Sequence, residues 1–402
     1  MEWYHYAAVI LIFAQFAFVV QMHTNRRYAL SKYKRRRAYR PRTVLIIPCK
    51  GLDSEFDKNV ASFYAQDYEE YLLWFVVGEE SDPAYGRLCA LKEKLGASSK
   101  AKEVRIFVAG ACKSCGQKIH NLLHCYKQVG DDVEVMAFAD SDVCVRSDWL
   151  SHLVYPLRQA KVGAAGGYRW FVAKRNNPAT VALSALNAKV AQLMGNMRFN
   201  HLWGGSMAIR VDTFRRIGAE EMWRKSVSDD LCLTYAVKKL GLKVRYVPAC
   251  LVASCEETTW GELFEFGRRQ FVITRVSSPG TWWFGLFGCM FSVVGLWGGA
   301  AMALWAARAG VPRPGLLYAV PIVFFAGQLL RAVMRQSTIR ALLREDKQRL
   351  RAVLLADICL SWLLTLVMLG LILSSAFGRK IRWRGIRYKL VGPTETIRLT
   401  QP

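Results

Sequence analysis

Four long stretches of this sequence contain no Lys, Arg, Asp or Glu, and they constrain its fold more than any other feature. They lie between Glu2 and Arg26, from Thr281 to Ala307, from Pro314 to Leu330 and from Ile358 to Gly378. A helix needs about 20 predominantly apolar residues to cross about 30 Å of hydrocarbon. The sequence therefore predicts up to four membrane spans, one in residues 1–25 and the others in residues 280–378.

The first stretch has no basic segment before it and no small-residue cleavage site after it, which predicts a retained anchor instead of a removed signal peptide. A basic flank without acidic residues follows it: Arg26, Arg27, Lys32, Lys34, Arg35, Arg36, Arg37, Arg40 and Arg42. Since cytoplasmic flanks of membrane helices carry an excess of Lys and Arg, we expect this flank and the domain behind it in the cytosol.

The formal net charge of +25 would suit a nucleic-acid partner if the chain were soluble. The basic clusters instead adjoin the apolar stretches, including one from Arg379 to Lys389 after the fourth. We therefore expect an anionic membrane surface as the partner, and no nucleic acid.

Two indications disagree about the side of the membrane on which residues 379–402 lie. Four full spans would place them outside, whereas their Lys and Arg residues favour the inside. We expect this tail at the membrane surface.

The eleven cysteines are an odd number scattered through strand-like and apolar runs, which argues for a reducing compartment and against a disulfide framework. Cys112 and Cys115 form the only close pair in the sequence. The pair could be half of a zinc site or a redox pair, but no second CxxC or His pair completes a ligand set. We expect ordinary thiols here.

Residues 26–279 alternate short apolar runs with charged, helix-forming segments, a pattern typical of an α/β domain with a mostly parallel sheet. The expected strands are 44–47, 71–77, 104–108, 133–139 and 244–247, and the expected helices include 88–95 and 231–240. In such folds ligands bind beyond the carboxyl ends of the strands. The residues that follow the strands are therefore the candidates for function.

Charged residues follow four of the expected strands. They are Lys50 and Asp53 after the first, Glu79 after the second, Lys118 after the third, and Asp140 and Asp142 after the fourth. Lysines that alternate with carboxylates around one edge of a sheet are what a metal-bridged diphosphate would require.

Asp140-Ser141-Asp142 ends an apolar run, so two carboxylates meet at the edge of the sheet. They repel each other unless a cation or a proton lies between them. Mg²⁺ or Mn²⁺, held by carboxylates and by diphosphate oxygens, would satisfy both groups. The alternative interpretation is a solvated turn or a helix cap.

Ser228-Asp229-Asp230 opens the helix that is expected at 231–240. Ser228 could cap that helix, and both carboxylates favour its positive end, so ordinary capping is one interpretation. In the other, Asp230 is a general base that removes the proton of an acceptor hydroxyl and has to come within hydrogen-bond distance of it.

Trp203-Gly204-Gly205 lies between the two acidic motifs. The glycines allow a positive φ or a close backbone approach, and Trp203 offers an aromatic face to a sugar or an apolar chain. A tight turn with a core tryptophan is the alternative.

Basic and aromatic residues mark the border between the α/β domain and the second apolar stretch. Arg268-Arg269-Gln270-Phe271 could pair with a leaving diphosphate through guanidinium groups, or the arginines could snorkel at the membrane interface. Trp282, with Trp283 and Phe284, could line a path for an acyl chain or merely anchor the helix.

Taken in order, these residues resemble the family 2 glycosyltransferases of the GT-A fold, especially the branch containing ceramide glucosyltransferase and bacterial lipid glycosyltransferases. Pro48 to Asp53 is similar to a Pro-x-Lys-Gly-x-Asp segment, Lys118 to Leu122 to a donor segment, and Asp140 to Asp142 to the metal motif. Asp230 falls at the catalytic Asp of a Glu-Asp pair, Arg268 to Phe271 at a Q/R-x-x-R-W motif, and Arg382 to Leu390 at a Trp-Arg-x-Gly-x-Tyr ending.

The resemblance implies an α/β GT-A-type (Rossmann-like) catalytic domain with an N-terminal anchor helix and C-terminal transmembrane helices, in the bacterial inner membrane. It implies inverting transfer of a hexose, glucose in that branch, from a UDP-sugar donor to a lipid hydroxyl such as that of ceramide. Mg²⁺ or Mn²⁺ would be bound, and no covalent sugar–enzyme intermediate would form.

The candidate site residues fall into four groups. They are the catalytic Asp230 and Asp229; the metal-binding Asp142 and Asp140; the donor-binding Lys50, Asp53, Glu79, Lys118, Asp140, Arg268, Arg269 and Gln270; and the acceptor-binding Trp203, Gly204 and Trp282.

Three departures from the branch's pattern affect the details. Glu79 stands where many members have Asp, Asp229 replaces a Glu, and Gln270-Phe271 replaces Arg-Trp. A processive polysaccharide synthase is one alternative, although it would need more spans to enclose a polar channel. A non-catalytic lipid-binding or receptor protein is another, and it would leave the charged strand ends without a role.

Overall fold

A computed structural model describes residues 2–33, 39–53, 55–112, 115–196, 199–383 and 386–399. Residues Lys34 to Arg37 of the basic flank, Lys113, and Arg384 and Gly385 of the tail motif lie outside these ranges.

The helices of the described residues are α1 (Trp3–Tyr33), α2 (Phe56–Tyr64), α3 (Pro83–Leu95), α4 (Gln117–Tyr126), α5 (Trp149–Val154), α6 (Pro178–Ala191), α7 (Val211–Arg216), α8 (Ala219–Arg224), α9 (Asp229–Lys239), α10 (Trp260–Ser277), α11 (Pro279–Val293), α12 (Gly299–Arg308), α13 (Gly315–Leu342), α14 (Arg351–Cys359) and α15 (Ser361–Ser374). The strands are β1 (Thr43–Pro48), β2 (Tyr71–Val77), β3 (Glu103–Val108), β4 (Val135–Ala139), β5 (Val162–Ala173), β6 (Ser206–Arg210), β7 (Lys243–Glu256), β8 (Lys380–Trp383), β9 (Ile386–Gly392) and β10 (Glu395–Leu399).

A seven-stranded mixed sheet forms the centre of the α/β domain, in the order β3-β2-β1-β4-β6-β5-β7. Strands β1 to β4 are parallel, β6 is antiparallel to both of its neighbours, and β5 pairs in parallel with β7. The predicted α/β fold with an N-terminal apolar helix and further apolar helices is confirmed. All five predicted strands are present, and β7 extends well beyond the predicted 244–247.

Strands β5 and β6 were not predicted. For β5, the amino-acid composition explains why. Its first half is rich in glycine and alanine, which have low strand propensity. Gly167 is required by packing, because a Cβ there would lie 1.9 Å from the carbonyl oxygen of Cys250 on β7. The local signal for a strand was therefore weak although the tertiary requirement was strong.

The central strands are buried on both faces, as expected for parallel strands covered by helices. Leu45 and Ile47 of β1 pack in one apolar cluster, whereas Val44 and Ile46 pack in a second cluster on the opposite face. Two cores therefore fix the sheet, and its carboxyl-end edge is left to the polar residues that follow the strands.

Within the described ranges, three helical segments are long and apolar enough to cross a membrane: Trp3–Tyr33, Pro279–Arg308 and Gly315–Leu342. The α14–α15 pair would be a fourth only as a broken span, because its helices meet at an angle of 86°. Helices α1 and α13 run in the same direction, since Gln15 donates to the Phe324 carbonyl and Tyr33 to the Leu342 carbonyl. Both helices therefore carry the chain toward the α/β domain.

Both ends of α15 are held by the α/β domain or by the helix that leaves it. Lys189 of α6 donates to the Ser361 carbonyl at one end, and Arg268 of α10 donates to the Ser374 carbonyl at the other. The tail strands then pack on the same domain, where the Thr396 amide donates to the Lys225 carbonyl. The bent pair thus returns the chain to the side of the α/β domain, which accounts for the basic tail without a fourth crossing.

This arrangement predicts that the first basic flank and the tail lie on the same side of the membrane. Cysteines introduced one at a time in place of Arg36 and Glu395, in a chain whose exposed and half-buried native cysteines are Ser, should resist an impermeant thiol reagent in intact cells and react after permeabilisation. A cysteine replacing Arg313, between α12 and α13, is the matched control and should react from outside. Labelling at position 36 or 395 in intact cells would contradict the prediction.

Candidate active site

A cavity of about 780 Å³ opens at the carboxyl ends of the sheet strands and continues between the membrane-capable helices. Nearly all of the predicted site residues line it: Lys50, Asp53, Glu79, Lys118, Asp140, Asp142, Trp203, Gly204, Asp229, Asp230, Arg269, Gln270 and Trp282. The fold therefore brings together residues that are up to 232 positions apart in the chain, from Lys50 to Trp282.

Lys118 links two of the carboxylates at the sheet edge. It lies in the first turn of α4, and its Nζ is 2.7 Å from Oδ1 of Asp140 and 3.0 Å from Oδ2 of Asp229. Burial disfavours the charged lysine, but the carboxylates of Asp140 and Asp229 outweigh it and raise the Lys118 pKa. Burial raises the pKa of Asp229 to about 6, against the opposing effect of the Lys118 charge. A positive charge is therefore fixed between the two acidic motifs.

Asp142 has the properties of a ligand for a divalent cation. Its Oδ1 is buried and has no hydrogen-bond partner among the described residues. Burial, followed by the negative charge of Asp140, raises the Asp142 pKa to about 7. A hard divalent ion would satisfy the buried oxygen and the repulsion together, so Asp142 and Asp140 fit Mg²⁺ or Mn²⁺.

The Asp230 carboxylate is oriented by three donors at the start of α9. Oδ2 accepts from the Gly204 amide at 3.1 Å, and Oδ1 accepts from the Ser228 hydroxyl and the Leu231 amide, each at 2.7 Å. Ser228 also caps α9 as predicted, since its Oγ accepts from the Leu231 amide. The carboxylate lines the cavity beside the buried Asp229, so capping and a role toward a ligand are compatible.

Glycine is required at positions 204 and 205 because neighbouring side chains approach the backbone closely, and not because either residue has a positive φ. A Cβ on Gly204 would lie 2.4 Å from Oδ2 of Asp229 and 2.7 Å from Nζ of Lys118. A Cβ on Gly205 would lie 2.3 Å from the Trp203 ring. The two glycines therefore leave the space in which the Lys118 ion pairs form.

Arg169 on β5 is a cavity residue that the sequence analysis missed. Its guanidinium lies 5.6 Å from the Trp203 ring centroid and 5.3 Å from that of Phe266. Its positive charge partly opposes the rise in the Asp142 pKa. The available signal was the aromatic run Tyr-Arg-Trp-Phe after the glycines of β5, which alternates its side chains between two faces.

The side chains of the arginine motif on α10 point in two directions, toward the cavity and toward the tail. Arg269, Gln270 and Phe271 line the cavity, and the Arg269 guanidinium lies 5.6 Å from the Trp383 ring centroid in the tail. Arg268, in contrast, donates to the carbonyls of Ser374 and Phe377 and is not among the described residues that line the cavity. The structure thus places Arg268 toward the tail instead of the predicted donor site.

The two tryptophans predicted to contact an acceptor are both largely buried. Trp203 is 8% exposed and packs edge-on against Tyr168. Trp282 is 5% exposed, and its Nε1 donates to the Ser375 hydroxyl at 2.8 Å. Each offers part of its surface to the cavity, so a structural role does not exclude contact with a ligand.

Cys112 and Cys115 lie close to His120, which the sequence analysis did not connect with them. Their Sγ atoms are 3.0 Å apart, and possible ligand atoms of all three residues lie within 4.8 Å of one another. His120 also bonds the Ala109 carbonyl through Nε2. A closed structural zinc site takes four ligands, and the described residues supply three here.

Comparison with known proteins gives a match over most of the chain. A family model described as glycosyl transferase family 21 matches residues 6–395. One similar structure is a mannosyltransferase from Pyrobaculum calidifontis in complex with GDP-Man and Mn²⁺; it is 14% identical, the match covers 92% of this chain and 97% of that chain, and the TM-score is 0.45.

Two further structures are similar over about three fifths of the chain. GalNAc-T7 with UDP, GalNAc and Mn²⁺ is 12% identical, with 58% of this chain and 51% of that chain covered and a TM-score of 0.41. Glucosyl-3-phosphoglycerate synthase from Mycobacterium tuberculosis in complex with phosphoglyceric acid is 13% identical, with 58% and 78% covered and a TM-score of 0.35.

The close approach at Gly204 predicts that Gly204→Ala displaces the Lys118–Asp229 pair. We expect turnover to fall about tenfold or more, because the added carbon overlaps atoms of two charged groups. Gly261→Ala is the matched control, since a Cβ there meets nothing within 4 Å, and it should keep normal turnover. Initial rates with a UDP-sugar, together with thermal unfolding midpoints, test this. Normal turnover of the Gly204 variant would contradict it.

The geometry also predicts different effects for the two acidic motifs. Asp142→Ala should abolish the divalent-dependent binding of UDP that the sequence predicts, because it removes the unpartnered buried oxygen. Asp230→Asn should keep UDP binding and lower turnover by about 100-fold or more, because an amide cannot take the hydroxyl proton. Calorimetry with UDP and Mn²⁺ and initial rates measure the two effects, with the exposed Asp131→Asn as control. Near-normal turnover of Asp230→Asn would show that Asp230 is not the base.

Proposed function

Because the chain belongs to glycosyl transferase family 21, we propose that it transfers a hexose from a UDP-sugar to a hydroxyl group of a membrane lipid. The predicted glycosyltransferase class is confirmed, with family 21 where the motifs had suggested family 2. The sugar, the nucleotide and the lipid are proposals that rest on the cavity and on the resemblance to the ceramide glucosyltransferase branch.

The single observation that carries the proposal is the continuity of the cavity. One end is lined by carboxylates and Lys118 at the sheet edge, and the walls farther along come from apolar residues of the membrane-capable region, among them Leu186, Phe271, Trp282 and Ile372. A sugar nucleotide suits the polar end and an acyl chain suits the apolar walls. A water-soluble acceptor would not explain why the cavity has apolar walls.

The residues then take the following roles. Asp142 and Asp140 would hold Mg²⁺ or Mn²⁺, which supplies positive charge to the diphosphate of the donor. Arg269 and Gln270 contact the same diphosphate, with Lys50, Asp53 and Glu79 nearer the nucleoside. Asp230 accepts the proton of the lipid hydroxyl while the hydroxyl oxygen attacks the anomeric carbon of the sugar. The bond between that carbon and UDP breaks at the same time, and UDP leaves. Lys118 keeps Asp229 ionised beside the base, and Trp203 and Trp282 flank the acceptor.

The same proposal gives the domain organisation and the location. Residues 1–25 anchor the chain, 26–279 form the catalytic domain, 280–378 form the membrane region and 379–402 the basic tail. The catalytic domain faces the cytosol at the bacterial inner membrane, since its flank is basic.

The test of this function is the length of the product. Purified enzyme with UDP-glucose and lipid vesicles should give one discrete mass increment on an extractable lipid, independent of reaction time, because a lateral lipid acceptor leaves after one transfer. Mass spectrometry of the lipid extract measures this, with the Asp230→Asn enzyme as control. A ladder of increments, or a soluble polymer formed without lipid, would rule out this function and favour a processive polysaccharide synthase.

A further inference from the structure

Two thiols and an imidazole lie close together beside the active site, between β3 and α4. Cys112 and Cys115 are buried, and His120 follows them in the first turn of α4. The Sγ atoms of the two cysteines are 3.0 Å apart, and one possible ligand atom from each of the three residues lies within 4.8 Å of the other two. None of the three residues has a role in the transfer reaction proposed above.

The hydrogen bond of His120 sets the imidazole in the form that binds metals. Its Nε2 lies 2.9 Å from the carbonyl oxygen of Ala109, which can only accept a hydrogen bond. Nε2 therefore carries the proton, and Nδ1 keeps a lone pair. Histidines that bind zinc commonly donate their other N–H group to a backbone carbonyl in this way, because the bond fixes the tautomer and the orientation of the ring.

The arrangement of the two cysteines suits thiolates that share a cation. The Cys115 amide donates to Sγ of Cys112 at 3.1 Å, and a hydrogen bond to a sulfur atom stabilises negative charge on it. Two thiolates this close repel each other unless a cation lies between them. A tetrahedral zinc ion with Zn–S distances of about 2.3 Å would separate the sulfur atoms by less than about 1 Å from their present distance.

The backbone around these cysteines is bonded to the active site and to the tail. The Cys112 amide donates to Oε1 of Gln117 at 2.8 Å, and the Cys112 carbonyl accepts from Arg398 of β10 at 3.3 Å. Gln117 is followed by Lys118, and both residues line the cavity. A metal ion bound to Cys112 and His120 would therefore fix the start of α4, which carries Lys118, against the segment that the tail contacts.

We propose that Cys112, Cys115 and His120 bind a zinc ion, in place of the ordinary thiols expected from the sequence. This ion is distinct from the divalent ion that Asp140 and Asp142 fit, because thiolates and imidazole select Zn²⁺ whereas carboxylates and diphosphate suit Mg²⁺ or Mn²⁺. The described residues supply three ligands, so a water molecule takes the fourth position, as it does at zinc sites held by three side chains. Binding of the ion releases the two thiol protons.

The metal content of the full-length enzyme tests the proposal. Enzyme that is purified in reducing buffer, incubated with Zn²⁺ and desalted should retain one Zn²⁺ per chain in elemental mass spectrometry. Cys112→Ser and Cys115→Ser should each lose the ion, and His120→Gln should lower the zinc affinity by about tenfold or more. His124→Gln, one turn farther along α4, is the matched control and should retain the ion. Asp142→Ala should retain it as well, because the two metal sites are separate.

Two further measurements report on the ligands and on folding. Co²⁺ added to the metal-free enzyme should give the absorption bands of thiolate-bound, tetrahedral cobalt, and Zn²⁺ should displace them. A chelator should lower the unfolding midpoint of the unaltered enzyme, because the ion binds the folded state, and should leave the midpoint of Cys112→Ser unchanged. The midpoints also show whether each variant is folded before its metal content is compared.

Three results would overturn the proposal. In the first, the unaltered enzyme retains no Zn²⁺ in reducing buffer. In the second, folded Cys112→Ser or His120→Gln retains Zn²⁺ as His124→Gln does. In the third, Cys112 and Cys115 of enzyme taken directly from cells resist alkylation until a reductant is added, which would make them a redox pair. These measurements need neither a sugar donor nor a lipid, so they are independent of the proposed transfer reaction.

Discussion

The ammonium group of Lys118, held between Asp140 and Asp229, is the interaction on which the active site depends. Among the described residues, six aspartates line the cavity, including Asp140, Asp142, Asp229 and Asp230, and like charges in a partly buried setting repel each other far more than they do in water. Lys118 offsets this repulsion and joins the end of β4 to the starts of α4 and α9. The glycine at position 204 follows from the same constraint, because the bridge fills the space that a side chain would need.

Much of this site could be predicted because its residues follow strands whose apolar runs are continuous. Strands β1, β2 and β4 are buried on both faces and β3 at the edge of the sheet is half-buried, so all four carry apolar runs, and the position after each strand then locates the charged residues. Strand β5 gave no such pattern, so Arg169 was missed with it. Arg268 and Arg269 illustrate another limit: neighbours on a helix point about 100° apart, and two adjacent arginines do not reveal which one faces the cavity.

The position of the tail depends on contacts between segments that are distant in the sequence, and these could not be predicted from the sequence alone. The charges of the tail conflicted with four full spans, and no local signal could resolve that conflict. In the structure, the two ends of α15 are bonded to α6 and to α10, so that this apolar helix lies against the α/β domain and favours a tail on the side of that domain. Lys189, which makes the first of these bonds, lies in a helix of the α/β domain with many buried small residues, where no local pattern marks this contact.

The tail sheet has a consequence for the order in which the protein is made. Trp383, Ile386 and Tyr388 form part of the cavity wall, together with residues near the start of the α/β domain. During translation the α/β domain emerges first, yet its binding site lacks that wall until the helices of residues 279–374 have entered the membrane and the tail has returned. A nascent chain therefore cannot complete its site before the tail has been made. A complete cavity wall therefore depends on the folding of the apolar helices that separate the α/β domain from the tail in the chain.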